Sequence, residues 1–309
     1  MKVFLSGGAG FIGSHVAAKL IDQGHEVTIF DNLSTGLRDN IHPQAQFILG
    51  DIRSNDIQKI FAAQHFDAVI HLAAQTGVPA SIESPDYDCD VNIKGTINLL
   101  EACRQTGVKR FVFASTAAVY GDVKQNPVTE TTAVLPTSFY GLSKLTVEKY
   151  LALYQAQFGI DYVVLRYANV YGERQGENGE GGVVSIFIRK LFNGEQVLIF
   201  GDGGQTRDFI YVGDVADANC QALLTDKPNQ IYNISTCSET AVNDLLHLLA
   251  GLSNKNVSVE YQPVRPGDIY RSSLANDLAR QNLPWFPKIS LEKGLANTYQ
   301  YLVEKGDLV

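Results

Sequence analysis

Residues 3–13, Val3-Phe4-Leu5-Ser6-Gly7-Gly8-Ala9-Gly10-Phe11-Ile12-Gly13, run from an apolar strand through a glycine turn into the start of a helix. No other segment constrains the fold as much. Gly7, Gly10 and Gly13 permit a tight turn and let backbone N–H groups at a helix N-terminus approach a pyrophosphate. Glycines at such a turn can also serve geometry alone, so the motif needs support from the rest of the chain. That support comes from short apolar runs at 2–6, 26–31, 46–51, 68–73, 110–116 and 162–169, alternating with helical stretches near 14–23, 55–64, 87–105 and 138–158. Runs such as Ala-Val-Ile-His-Leu and Phe-Val-Phe are nearly continuous in apolar character, as expected when crossover helices cover both faces of a parallel sheet. The pattern predicts an α/β fold, a doubly wound parallel sheet of Rossmann type.

Beyond Asn169 the alternation loosens. A Rossmann domain over 1–169, rejoined by segments near 205–235, is expected to carry a smaller mixed α/β C-terminal lobe formed mainly by 170–309. The region after 169 contributes strands near 231–235 and 257–261 and helices near 183–193, 242–250 and 291–302. Residues 173–182 hold four glycines and three glutamates in ten positions, which reads as a flexible surface loop able to close over a ligand.

A formal net charge of −8 over 309 residues, with no concentrated Lys/Arg run, argues against a nucleic-acid surface. No apolar run approaches a membrane span, and the chain enters a strand at once, without a charged leader, so a cytoplasmic protein is expected. Cys89, Cys103, Cys220 and Cys237 lack metal-ligand spacing, and no metal site is expected.

Asp31 ends the second strand, where a carboxylate accepts hydrogen bonds from an adenosine ribose and repels a 2′-phosphate, favouring NAD over NADP. Asp51-Ile52 can meet the adenine edge, although a strand-end cap is an equal reading of Asp51. Ala73-Ala74 leave room for the cofactor. Tyr140 and Lys144 lie four residues apart and share one face of a helix. An ammonium a few ångströms from a phenol stabilises the phenolate, so this pair can form a base at neutral pH. A base beside a dinucleotide site points to redox chemistry at a carbinol carbon.

These residues, with His71-Leu72-Ala73-Ala74-Gln75, Ser115-Thr116-Ala117-Ala118-Val119-Tyr120-Gly121, Leu165-Arg166-Tyr167-Ala168-Asn169-Val170-Tyr171-Gly172 and Thr206-Arg207-Asp208-Phe209, resemble the extended short-chain dehydrogenase/reductases. Within that family the resemblance is to the UDP-glucose 4-epimerases, and it covers nearly the whole chain. It implies Tyr140 as acid/base, Lys144 as its partner and holder of the nicotinamide ribose, and Thr116 on the reacting hydroxyl. The implied NAD-binding set is Gly7, Gly10, Phe11, Ile12, Gly13, Asp31, Asn32, Asp51, Ile52, Ala73, Ala74, Asn92 and Ser115, with Tyr140 and Lys144. Ser115 is the weaker neighbour of Thr116, since adjacent strand residues face opposite sides. Beside Thr116 and Tyr140, the implied UDP-sugar set is Asn169, Arg207 and Arg265 at the diphosphate, Asp268 near the ribose or sugar, and Val197 with Phe200 at the uracil. Ser272 occupies the implied gate, where a small residue would admit N-acetylated sugars; a shift of one residue would put Arg271 or Ser273 there.

Related dehydratases and decarboxylases carry acidic residues directly after the active Thr, where this chain has Ala117 and Ala118. Alanine transfers no proton, so the resemblance implies C4 epimerisation of UDP-hexoses through a transient 4-keto sugar. A UDP-glucuronate 4-epimerase and a non-catalytic NAD-binding sensor or scaffold are the competing readings. The resemblance also implies a homodimer built on the helices near 87–105 and 138–158, which include Ile97, Leu100, Tyr150 and Leu151.

Overall fold

The computed structural model describes residues 1–176, 182–253, 258–264 and 269–305. Its first half alternates β1 (Lys2–Ser6), α1 (Phe11–Asp22), β2 (Glu26–Asp31), β3 (Gln46–Leu49), α2 (Asp56–Gln64) and β4 (Ala68–His71). Next come α3 (Val78–Glu83), α4 (Pro85–Cys89), a π-helical turn (Asp90–Lys94) and α5 (Gly95–Thr106). Strand β5 (Arg110–Thr116), the long helix α6 (Phe139–Phe158) and β6 (Asp161–Tyr167) complete the alternation. The later elements are β7 (Asn169–Tyr171), α7 (Val183–Asn193), β8 (Val197–Phe200), β9 (Thr206–Arg207), β10 (Phe209–Tyr211), α8 (Val212–Leu224) and β11 (Gln230–Ile234). They end with β12 (Thr240–Ala241), α9 (Val242–Ser253), β13 (Val259–Gln262), α10 (Asp277–Asn282) and α11 (Leu291–Lys305).

Seven strands form one sheet in the order β11-β6-β5-β4-β1-β2-β3, every pair parallel. The order reverses between β1 and β4, and the crevice at the carboxyl ends of such strands is where doubly wound sheets bind ligands. Alternation along each strand feeds two apolar layers. Val3, Leu5 and Ile29 pack with Val16 and Leu20 of α1 and with Val215 and Ala218 of α8. Phe4, Phe30 and Phe111 pack with Phe61 of α2, Leu99 and Leu100 of α5 and Val147 and Leu151 of α6. Full burial of each large apolar side chain is worth roughly 1.5–3 kcal/mol.

Strand β11, within the returning segment 205–235, closes the seven-stranded sheet beside β6. Helix α8, which carries no strong turn signal at its start, covers the sheet opposite α6 and has no counterpart in the sequence reading. The lobe has its own core, in which Phe187, Ile188 and Leu191 of α7 meet Leu245 and Leu249 of α9 and Leu295 of α11. Of the expected loop 173–182, residues 177–181 lie outside the described part of the chain. Among the described residues no helix is long and apolar enough to cross a membrane, and no group of three or more His, Cys, Asp and Glu could hold a metal ion.

Candidate active site

The glycine turn builds one end of the site. A Cβ on Gly13 would stand 2.0 Å from the Gly7 carbonyl oxygen, so only glycine lets the first turn of α1 lie this close to the end of β1. Gly10 caps α1 without any side-chain bond, leaving the first N–H groups of the helix for a ligand. Phe11 is buried and Ile12 packs against the sheet core, so their side chains hold the turn, and neither residue is among those lining the cavity over it. Gly7, Gly10, Asp31, Asn32, Asp51, Ile52, Ala73 and Ala74 line a cavity of about 320 Å³ over this turn. Asp31 accepts from the Ala9 and Leu33 N–H groups at 3.0 and 2.8 Å, and burial pushes its carboxyl above the usual range against those bonds. The side-chain hydrogen bonds from Arg53 hold the Asp51 carboxyl well below that range. A glycine turn at a helix N-terminus, a carboxylate at the end of β2 and room beside Ala73 in one cavity fit NAD.

Asn92 sits on the π-helical turn, a local irregularity that often marks functional positions. Its carboxamide accepts from Gln75 N at 2.8 Å and donates to Gln75 O, Asp88 Oδ1 and Ser143 Oγ at 2.9, 3.0 and 3.1 Å. The side chain therefore braces the loop after β4 against α6.

The other end of the site is built by β5 and α6. Ser138 caps α6 by accepting from Gly141 N at 3.1 Å, which puts Tyr140 in the first helical turn, where the helix dipole favours negative charge. A Cβ on Gly141 would come within 2.6 Å of Ala118 O, so glycine lets this turn pack against the segment after Thr116. Lys144 is buried; its Nζ donates to Ala114 O at 2.9 Å and lies 5.9 Å from the centroid of the Tyr140 ring. Thr116 Oγ1 accepts from Ala118 N at 3.2 Å, and the hydroxyl proton is not used in that bond. Ser115 points the other way, donating to buried Glu148 at 2.6 Å, and is absent from the residues lining either cavity. The expected contact of its side chain with the cofactor is replaced by this internal bond, because the pleat turns it behind the sheet.

Thr116, Tyr140, Asn169, Arg207 and Ser272 line a second cavity of about 560 Å³, so five expected site residues from distant segments converge. Helix α3 walls both cavities, giving Ala80 to the first and Val78, Pro79 and Ile82 to the second. Arg265 and Asp268 lie outside the described residues. Of the three candidates for the gate, Ser272 and Arg271 line the cavity, whereas Ser273 is buried and bonded through N and Oγ to Asn126 Oδ1. Arg271 is paired with Glu239. Val197 is fully buried in the lobe core and cannot face a ligand, while Phe200 lines a neighbouring cavity of about 400 Å³ with Gln262, Val264 and Tyr270.

Tyr120, Val128, Ala168 and Leu274 also line the second cavity and are absent from the expected set. Asn233, fully buried on β11, holds part of this wall: it accepts from Tyr120 Oη at 2.7 Å and donates to Val128 O and Ala275 O, both at 3.1 Å. No local pattern announces such a residue, since its partners are distant in sequence.

Fold and site together define a dinucleotide-dependent α/β protein with a Tyr, Lys and Thr grouped at the end of its fifth strand. The chain belongs to the NAD dependent epimerase/dehydratase family, whose model matches residues 3–235. It is similar to the crystal structure of a Thermotoga maritima UDP-glucose 4-epimerase with UDP-glucose, at 42% identity and a TM-score of 0.96 over 99% of both chains. A Thermus thermophilus UDP-glucose 4-epimerase in complex with NAD is 40% identical, with a TM-score of 0.92 over 98% of this chain and 99% of that one. A UDP-N-acetylglucosamine 4-epimerase from Methanobrevibacter ruminantium, in complex with UDP-N-acetylmuramic acid, is 35% identical, with a TM-score of 0.94 over 98% of each chain.

Proposed function

We propose that this protein is an NAD-dependent 4-epimerase of UDP-hexoses, interconverting UDP-glucose and UDP-galactose and admitting their N-acetylated counterparts. The observation that carries this reading is the proton-transfer inventory of the larger cavity. Tyr140 and Thr116 face it, Ala117 and Ala118 follow Thr116, and no Asp, Glu or His is among the described residues that line it. Elimination or decarboxylation at the neighbouring carbons requires further groups to move protons, whereas inversion at C4 requires one base.

NAD+ held over the glycine turn would supply reversible hydride acceptance at C4. Tyr140, as phenolate beside the Lys144 ammonium and at the positive end of α6, removes the O4 proton and later restores it. Thr116 has a hydroxyl proton to donate toward O4. Asn169 and Arg207, with Arg265 from the C-terminal lobe, are assigned to the nucleotide diphosphate, for which a guanidinium offers bidentate donors, and Asp268 to the ribose or sugar. Binding energy placed on the nucleotide leaves the ketose free to turn over within its cavity. The small Ser272 at the wall, and the likeness to an epimerase named for an N-acetylated sugar, support the wider substrate range. Pairing of Arg271 with Glu239 leaves that cation committed, which favours neutral hexoses over a uronate.

Leu142, Tyr150 and Leu153 lie on one exposed stripe of α6, while Leu100 and Leu151 face the sheet core. That stripe supports a homodimer, to be checked by sedimentation. The deciding experiment is an NMR time course of purified protein, without added NAD, given UDP-galactose and UDP-GalNAc together. Conversion of both at C4 is expected. Conversion of UDP-galactose alone removes the wider range, and failure of both, also with added NAD, removes the proposal.

A further inference from the structure

One guanidinium ties together opposite walls of the dinucleotide cavity. Asp51 stands at the mouth on the loop after β3, and Tyr87 faces the same cavity from α4. Arg53 Nε and Nη2 donate to Asp51 Oδ1 and Oδ2 at 2.9 and 2.7 Å. Its Nη1 crosses to Asp90 Oδ2 on the π-helical turn at 3.1 Å, and its Cζ lies 5.5 Å from the centroid of the Tyr87 ring. Lys94 holds the other oxygen of Asp90 at 2.8 Å.

Asp51 is fully subscribed. Besides the two guanidinium bonds it accepts from Arg53 N at 2.9 Å and from Asn32 Nδ2 at 3.0 Å, which fills the roughly four acceptor positions of a carboxylate. An adenine amino group arriving at Asp51 finds an acceptor only where Asn32 gives one up, because the other three bonds come from a single residue held in a fork.

We propose that Arg53 is a strap across the adenine end of the site, a positioning residue that slows release of NAD by holding the Asp51 wall to the Tyr87–Asp90 wall. A dinucleotide leaving through this mouth must part those walls, which breaks the crossing to Asp90 and the stacking on Tyr87 together. Each bond of the strap is partly solvated and weak alone, but the bidentate fork, the second carboxylate and the ring act through one side chain. An epimerase returns its cofactor to the starting oxidation state in every turnover, so retention costs it nothing. The inference rests only on the NAD half of the proposed function.

The test loads the purified full chain with NADH and follows loss of bound-NADH fluorescence after a chase with excess NAD+. Arg53→Gln and Asp90→Asn are each expected to release NADH at least about tenfold faster than wild type. Raising NaCl from about 50 to about 500 mM should speed release from wild type and leave Arg53→Gln nearly unchanged. Asp90→Asn removes the charge of the crossing, together with that of the exposed Lys94 pair, and leaves the Asp51 fork intact, so it decides the matter should Arg53→Gln fail to fold. Release within about twofold of wild type in the folded variants overturns the strap while leaving NAD binding in place. A wild-type chain that binds no NADH overturns both readings.

Discussion

Ser115 Oγ donates to Glu148 Oε1 at 2.6 Å, joining the strand that ends in Thr116 to the helix that begins with Tyr140. Glu148 also receives Arg166 Nε and Nη2 at 2.9 and 2.6 Å, and both charged side chains are almost wholly buried. Glu148 lies one turn beyond Lys144 and two beyond Tyr140, so the network fixes that face of α6 against β5 and β6. Among the described residues, Arg166 Nη1 already has no hydrogen-bond partner. Removing the carboxylate leaves a buried guanidinium uncompensated, which typically costs about 3–5 kcal/mol. Glu148→Gln should therefore lower the unfolding free energy by roughly that amount, measured by urea titration, and Ser115→Ala by about 1 kcal/mol. A Glu148→Gln variant as stable as wild type would remove the ion pair from the forces holding α6.

Tyr140→Phe removes the hydroxyl while keeping the ring over Lys144. If Tyr140 is the only base in the cavity, turnover of UDP-galactose should fall by roughly 100- to 10,000-fold, with UDP binding unchanged by calorimetry. The two other phenols lining the cavity, Tyr120 and Tyr167, donate to Asn233 and Asn219, and burial raises both above the usual phenol range, so neither is poised as a base. Near-normal turnover would transfer the role to Thr116 or to solvent.

His71 makes stability depend on pH. Its Nδ1 lies 2.6 Å from Ser6 Oγ and its Nε2 2.9 Å from Thr96 Oγ1, whose own proton goes to Asn92 O at 2.6 Å. Thr96 must then accept from Nε2–H, and Ser6 donates to Nδ1, which describes a neutral ring. Complete burial, and secondarily the charge of Lys144, push its pKa down from 6.5 to about 3. Between those values the unfolded chain binds one proton more than the folded chain. The stabilisation is thus fully present above about pH 6.5 and is lost as pH falls toward about 3. Urea unfolding at about pH 7 and about pH 5 should show roughly 2 kcal/mol more loss in wild type than in His71→Gln, because the cost of the substitution itself is independent of pH. His15 and His25 are also shifted down, but they are present in both proteins and cancel.

The parallel sheet, the glycine turn and the Tyr140–Lys144 pair were legible because each is a local pattern: strand period, helix spacing, turn chemistry. Lys2–Ser6, Glu26–Asp31 and Arg110–Thr116 emerge with the expected bounds. What was hidden depends on contacts between distant segments. β11 lies in a segment expected to rejoin the first domain, and only its pairing with β6 fixes its place at the sheet's edge. Ser115 and Thr116 are both hydroxyl residues at one strand end, and the pleat alone separates a side chain facing Glu148 from one facing the cavity. Val197 has the character expected of an apolar wall but is used by the lobe core. Asp51 met the strand-end reading and the cavity reading at once, since it lines the cavity while bonded to Arg53 and Asn32.

Ser272 tests whether cavity width sets the sugar range. It shares the cavity wall with Thr116, Tyr140 and Arg271, the last paired with Glu239, while Ser273 is buried and locked to Asn126. A tyrosine side chain in its place would project an aromatic ring into the space needed by an N-acetyl group on C2. Overpacking of this kind usually costs about 1–3 kcal/mol, or roughly 5- to 150-fold in an equilibrium. Ser272→Tyr should therefore lower kcat/KM for UDP-GalNAc by at least about tenfold and change that for UDP-galactose by less than about threefold. Competition assays with both substrates in one tube measure that ratio directly. Equal losses for both sugars would mean that the substituted side chain blocks access to the whole site, and no change in either would place the sugar ring elsewhere in the cavity.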